Sequence, residues 1–284
     1  MKAAPLAIAV AIDYLTPMRP PELFDPDLLA LRRARARAGG SADFLHEAAI
    51  GEILDRLAEV NRSFRDAAVV TARPDLWAAP LDARPTPEAE TLALAPGSQD
   101  LVIHALGLHW ANDPVGQLVQ CRRALRPDGL FLGALFGGET LAELRAALAE
   151  AEAEETGGIS PRVAPMAELR DLGGLLQRAG FALPVADSLR LTASYADGFA
   201  LMRDLRAMGE TNVLRERLRR PTGRRVLARA AAILADRFAG PDGRVRASFE
   251  IVFLTGWAPA PDQPQPLRPG SATHSLADAL KPRA

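Results

Sequence analysis

Four runs in this chain carry apolar side chains on successive rather than alternate positions: "AAVVTA" (67–72), "QDLVIHAL" (99–106), "LFLGALF" (130–136) and "ASFEIVFLTGW" (247–257). A strand of that kind has no face to give to water, so it belongs inside a sheet covered on both sides, the usual setting of parallel strands. The intervening stretches have helical spacing. In "SADFLHEAAIGEILDRLAEVNRSF", Leu45, Ala49, Ile53, Leu57 and Val60 recur at three- and four-residue steps, which predicts a helix with one buried stripe. "PMAELRDLGGLLQRAGF" gathers Leu169, Leu172, Leu175 and Leu176 in the same way, and "GGETLAELRAALAEAEAEETGG" starts with Thr140 and Glu143 at capping-box spacing. "SLRLTASY" reads as a further strand, "ADGFALMRDLRAMGE" as a helix, and Val213 to Phe238 as a basic helical stretch. Strands alternating with helices imply an α/β fold with a largely parallel sheet. The late strand, helix, turn and strand point to a final strand inserted antiparallel.

The 284 residues suffice for a full core. A formal charge of −1 provides no global basic field, so nucleic acid is not an expected partner. The one cysteine, Cys121, excludes an internal disulfide, fits a reducing compartment and reads as a packed structural thiol in "QLVQCRRAL". "MKAAPLAIAVAID" superficially resembles a leader, but Pro5 and Asp13 interrupt it and the run is too short to span a bilayer. No transmembrane segment is expected, and the reading is a cytoplasmic protein, with the periphery of the inner membrane as the alternative. Residues 1–22 are taken as an extension, disordered or mis-started, 23–258 as the folded domain and 259–284 as an irregular proline-rich tail. Arg32, Arg33, Arg35 and Arg37 fall on more than one helical face. A solvated surface helix is the default for them, and an anionic partner surface the alternative.

In an open α/β sheet, ligands sit beyond the carboxyl ends of the strands. Three such ends are readable: Thr71-Ala72, Leu106 to Trp110, and Phe136-Gly137-Gly138-Glu139. Two glycines between a strand and a helix permit close backbone approach and offer free N–H groups, or simply make a tight connection. Asp113 and Pro114 suit the N-cap and first position of a helix. His109 and Trp110 could receive an aromatic or cationic group, or the indole could plug the core. His104 and His109 on one strand would face opposite ways, and no metal-ligand motif, nucleophile elbow or phosphate loop occurs. No metal is expected.

"DLVIHALGLHWANDP…LRPDGLFLGALFGGETLAELR" resembles the fourth- and fifth-strand region of class I S-adenosylmethionine-dependent methyltransferases. Together with "LFDPDLLALRRARA", "GGISPRVAP…DLGGLLQRAGF", "MRDLRAMGETN" and "RPGSAT", it is similar to the methyltransferase-like complex I assembly factors (arginine-hydroxylase type) and their alphaproteobacterial relatives. More distantly it is similar to the malonyl-carrier-protein methyltransferases. The resemblance implies a Rossmann-like class I methyltransferase fold of seven strands with the last antiparallel. It also implies S-adenosylmethionine held by a glycine loop after the first strand and an acid ending the second. Here "AAVVTA" is followed by "RPDLWAAPLDARPTPEAE", with no glycine between Gly51 and Gly97. Arg73 to Asp100 is too short for two further strand–helix units. The N-terminal part of the sheet is therefore expected to be truncated or remodelled and the cofactor loop and second-strand acid lost. None of Asp75, Asp82, Glu88 or Glu90 stands out as a substitute.

The candidate residues that remain are His109 and Trp110 for chemistry, with Leu106, Asp113, Gly137, Gly138 and Glu139 on the cofactor side. Ser160, Arg206, Glu210 and Asn212 are the candidates that face a partner. Three functions stay open. The first is a degenerate methyltransferase, a pseudoenzyme, acting on a protein client, by resemblance a peripheral-arm subunit of complex I. The second is an active methyltransferase with a non-standard pocket. The third is a protein-arginine hydroxylase.

Overall fold

The structure, a computed structural model, describes residues 22–264. The apolar start of the chain, "RPGSAT" and the rest of the tail from residue 265 lie outside the described residues. Six strands form one sheet: β1 (Ala67–Val70), β2 (Arg84–Thr86), β3 (Gln99–Ala105), β4 (Leu125–Phe136), β5 (Ala182–Tyr195) and β6 (Val245–Trp257), in the order β2-β1-β3-β4-β6-β5. β1 pairs in parallel with β2 and β3, and β3 with β4, while β6 runs antiparallel between β4 and β5. The antiparallel last strand is thus as expected, and among the described residues the sheet has one strand fewer than the resemblance implies, on the β2 side.

Among the described residues eight α-helices flank it: α1 (Pro26–Gly39), α2 (Phe44–Glu59), α3 (Pro74–Trp77), α4 (Pro114–Ala124), α5 (Ala142–Thr156), α6 (Leu169–Arg178), α7 (Gly198–Met208) and α8 (Arg224–Arg237). Side chains alternate along the buried strands and so build two cores. Leu101, Ile103, Leu130, Leu132, Phe249, Ile251 and Phe253 face α2, α5, α7 and α8. Val102, Phe131, Leu135, Val252 and Leu254 face α4 and α6. Cys121 is buried in the second core, where burial pushes its thiol up to about 12. It is a packing residue.

Local expectations fail where tertiary partners take over. Thr140 and Glu143 do not make a capping box: the Thr140 hydroxyl donates to the Glu250 carbonyl, and the Glu143 carboxylate accepts from the Ser248 backbone and hydroxyl. β6 lies alongside and claims both groups, so α5 begins at Ala142 behind a left-handed Leu141. The basic stretch from Val213 becomes helical only at Arg224.

The remodelled region is the crossover from β1 to β2. It contains one helical turn, α3, in place of a full helix. Trp77 at the end of that turn is completely buried, and its indole N–H donates to Nδ1 of His46 at 2.9 Å. β2 then runs for three residues and returns to β3 with no helix at all. That return is held on α4 by side-chain amides: Gln117 donates to the Ala89 carbonyl, and Gln120 donates to the Glu90 carbonyl and accepts the Leu92 N–H.

Burial pulls His46 down to about 4 from an ordinary 6.5, in keeping with a neutral ring whose Nδ1 accepts from Trp77. The folded pKa lies below the unfolded one, so the unfolded chain binds the proton first as pH falls. The associated stability is complete above about 6.5 and is lost on the way down to about 4, on the order of 3 kcal/mol. His104, buried and also lowered, acts in the same direction. Urea unfolding from pH 7 to pH 4 is expected to show this loss, and His46→Gln is expected to flatten it. An unchanged slope in that variant would exclude His46 as a source.

Candidate functional site

The strand order reverses between β1 and β3, and the crevice at their carboxyl ends is where an open α/β sheet takes ligands. Here the crevice is filled by charge. Arg33 reaches in from α1 with a side chain only 12% exposed. It donates to Glu88 at 2.6 Å and lies 3.8 Å from Glu210, just beyond α7. Glu88 stands two residues past the end of β2 and also accepts the Ala72 N–H, past β1, at 3.0 Å. Its carboxyl covers Gly107 so closely that a Cβ there would overlap it. This position therefore needs glycine. Burial works against the Arg33 charge, but Glu88 and then Glu210 outweigh it and raise its pKa.

Arg73, at the residue where a glycine loop would begin, is tied to Asp43 at 2.6 Å and to Asp75 at 2.8 Å. Between Arg33, His46, Ala72, Arg73, Glu88 and Leu106 only about 10 Å³ of free space remains. That is about the least that a single water molecule needs. An acid does follow the second strand, contrary to the sequence expectation. It was hard to single out because four acids lie in the stretch and only the sheet register shows which one ends a strand.

His109 and Trp110 sit on a single helical turn, Leu108–Trp110, after β3. Both point at Glu210: the Trp110 indole N–H donates to Oε2 at 2.7 Å, and His109 Nε2 lies 3.3 Å from the same oxygen. Burial raises the Glu210 pKa, but the hydrogen bonds and charges of His109, Arg33 and Trp110 together hold it below the usual glutamate value. His104, by contrast, bonds to Gln117. His109 lies past the end of β3, so the two histidines do not share a strand as the sequence reading had them. Among the described residues no group of His, Cys, Asp and Glu could hold a metal ion.

Leu106 takes a positive φ of 50°, with its N–H on the Ala134 carbonyl. Asp113 caps α4 through the Gly116 N–H at 2.8 Å. Two donors of the Gly137-Gly138-Glu139 turn are taken by β6: the Gly137 N–H goes to the Glu250 carbonyl and the Glu139 N–H to the Glu250 carboxylate. These last residues serve the β4–β6 junction. Ser160 donates to Glu152, an acid held down at about 2 by Arg162 and the Ser160 backbone.

On the other side of Glu210 a cavity of about 190 Å³ opens. Its walls are apolar, with Phe136, Leu144, Met202 and Phe249 among them, and Trp110, Arg206, Glu210 and Asn212 also line it. Three of the four residues proposed to face a partner thus meet the aromatic end of the proposed chemical pair. Ser160 is not among them. Arg33, Glu88 and the cavity itself were not singled out by sequence reasoning. Arg33 was concealed in an arginine-rich helix that reads as solvated.

Residues 66–133 match the methyltransferase domain family. Over 197 residues, 68% of this chain and 60% of the relative, the chain is 41% identical to the zebrafish (Danio rerio) "Arginine-hydroxylase NDUFAF5, mitochondrial". These matches make the chain similar to class I S-adenosylmethionine-dependent methyltransferases. The chain is also 41% identical, over 61% of its length and 56% of the relative's, to a malonyl-[acyl-carrier protein] O-methyltransferase of Xylella fastidiosa. It spans a little over half the length of these curated relatives. A solved methyltransferase-like protein of Bacillus halodurans is 13% identical with a TM-score of 0.45, covering 73% of this chain and 99% of that one. The fold assignment here rests on the strand order instead.

Arg33→Met is expected to lower stability by about 3 kcal/mol in urea unfolding, because two buried carboxylates lose their cation. Adding Glu88→Gln is expected to restore part of that loss. A change under about 0.5 kcal/mol would mean that the pair is a surface ornament.

Proposed function

We propose that this chain is a methyltransferase-fold protein that binds S-adenosylmethionine weakly or not at all and acts on a protein partner. One observation supports the first half: the pocket enclosed among Arg33, Ala72, Arg73, Glu88 and Leu106 is about 10 Å³ and is closed by the Arg33–Glu88 pair, whereas the larger space of about 590 Å³ along Thr71, Ala72 and Thr86 lies outside that pair. Glu88 stands where the family's ribose-binding acid is expected, but its oxygens already accept from Arg33 and the Ala72 N–H. Arg73 replaces backbone that would have to approach the cofactor closely. The residues present do not fit the group as the family holds it, and no methyl-transfer step is derived for them.

The apolar cavity beside Glu210 supports the second half. It is open, the methyltransferase family uses this side of the sheet for acceptors, and the resemblance to complex I assembly factors names a protein client. The client reading includes a place in the cytoplasm against the inner membrane, where the complex I peripheral arm is found. No described helix is long and apolar enough to cross a membrane.

Two other readings have specific support. A groove of about 410 Å³ bordered by Glu88, Gly107, Asp113 and Gln117 leaves room for an active methyltransferase with a displaced cofactor. The printed names of the NDUFAF5 relatives favour arginine hydroxylation. Calorimetric titration of the full chain with S-adenosylmethionine is expected to show no binding tighter than about 1 mM, roughly −4 kcal/mol. Low-micromolar binding would overturn the proposal in favour of the second reading. Mass spectrometry of complex I peripheral-arm subunits from a deletion strain is expected to show less assembled complex with unchanged arginine masses. Loss of an oxygen mass on an arginine would transfer the assignment to a hydroxylase.

A further inference from the structure

Most arginines of this chain that lie near acids are paired with them. On the face where α5 meets α8, Arg225, Arg229 and Arg237 hold Glu155, Glu154 and Glu150. The cleft between α1 and α7 is different. Arg32 and Arg35 on one helix and Arg203 and Arg206 on the other line a space of about 400 Å³. Among the described residues none of these four guanidinium groups has a carboxylate or hydrogen-bond partner, and no acid lines the cleft. Arg35, Arg203 and Arg206 are exposed. Two donors are buried without partners here, Nε of Arg32 and the hydroxyl of Thr211. A buried donor left unpaired costs about 1–3 kcal/mol, so both are positions where an acceptor would be stabilised.

The cleft is also joined to the apolar cavity. Arg206 and Thr211 line both. We propose that this composite surface docks an acidic segment of a partner polypeptide, carboxylates on the four arginines and one apolar side chain of the same segment in the cavity. The proposal deepens the protein-client reading by giving the chemistry of the client's docking segment.

Several features favour this occupant. Four cations at i, i+3 spacing on two helices match an extended series of carboxylates better than one compact anion. The cleft is lined without an aromatic ring on which a base could stack, and the chain's formal charge of −1 supplies no wider field for a phosphate backbone. The chain's own segments outside the described residues are poorly matched in charge, with Asp13 and Asp278 their sole acids.

Fluorescence anisotropy of the full chain tests this with a labelled twelve-residue peptide of Glu and Asp around one central Leu. A matched peptide with Gln and Asn in place of the acids, a peptide with Ser in place of Leu, and a single-stranded oligonucleotide serve as comparisons. The acidic peptide is expected to bind, to weaken with added salt, and to lose at least about tenfold in affinity to the Arg35→Ser/Arg203→Ser variant. Both arginines are exposed and unpaired, and an unchanged thermal melt would show that the variant is folded. The Leu-to-Ser peptide is expected to weaken by a similar factor. Equal binding of the Gln/Asn peptide, no loss in the double variant, or an oligonucleotide that binds at least as tightly would each overturn the proposal. Cofactor titration reads a different crevice, so failure here and failure of the cofactor-poor reading are distinguishable.

Discussion

Arg33 is the pivot of the carboxyl end of this sheet. Its guanidinium joins three elements that are remote in sequence: α1, the residue after β2 and the residue after α7. A partly buried cation between two carboxylates has a large desolvation cost, offset only while both acids remain in place. The arrangement therefore couples the docking of α1 to the closure of the crevice. It also fixes Glu210, and through it His109 and Trp110, at the edge of the apolar cavity. The same charge that closes one half of the site orders the other.

This division organises the molecule's function. In an open α/β sheet the crevice at the carboxyl ends of the strands is where ligands are taken. Here the short crossover brings Arg73 and Glu88 into the crevice, where their partners are protein groups, and Trp77 anchors the crossover in the core. Beyond Glu210 an apolar cavity is bordered by Arg206 and Thr211, which also line the arginine-lined cleft between α1 and α7.

Much of the fold was legible because burial is written into residue type. Successive apolar residues marked β1, β3, β4 and β6, and three-and-four spacing marked α2 and α6. Asp113 with Pro114 marked the start of α4, since a cap depends only on its own next three residues. The site was legible in part. His109, Trp110 and Glu210 were all candidates, yet nothing in their spacing says that residue 210 returns to residue 110. Thr140 and Glu143 had the right spacing for a cap and were taken instead by β6, because a neighbouring strand offers stronger partners than the helix's own first turn.

Pattern and composition were enough for the α/β class, the antiparallel last strand and the lack of any glycine between Gly51 and Gly97, since each follows from local residue chemistry. Which acid ends the second strand, which arginine of α1 is buried and which two, Arg32 and Arg35, remain without partners were decided by the packing of α1 against α7 and the sheet. Charge has no periodicity that separates a buried ion pair from a solvated one. Only the distance to a partner does, and that distance is a property of the folded chain.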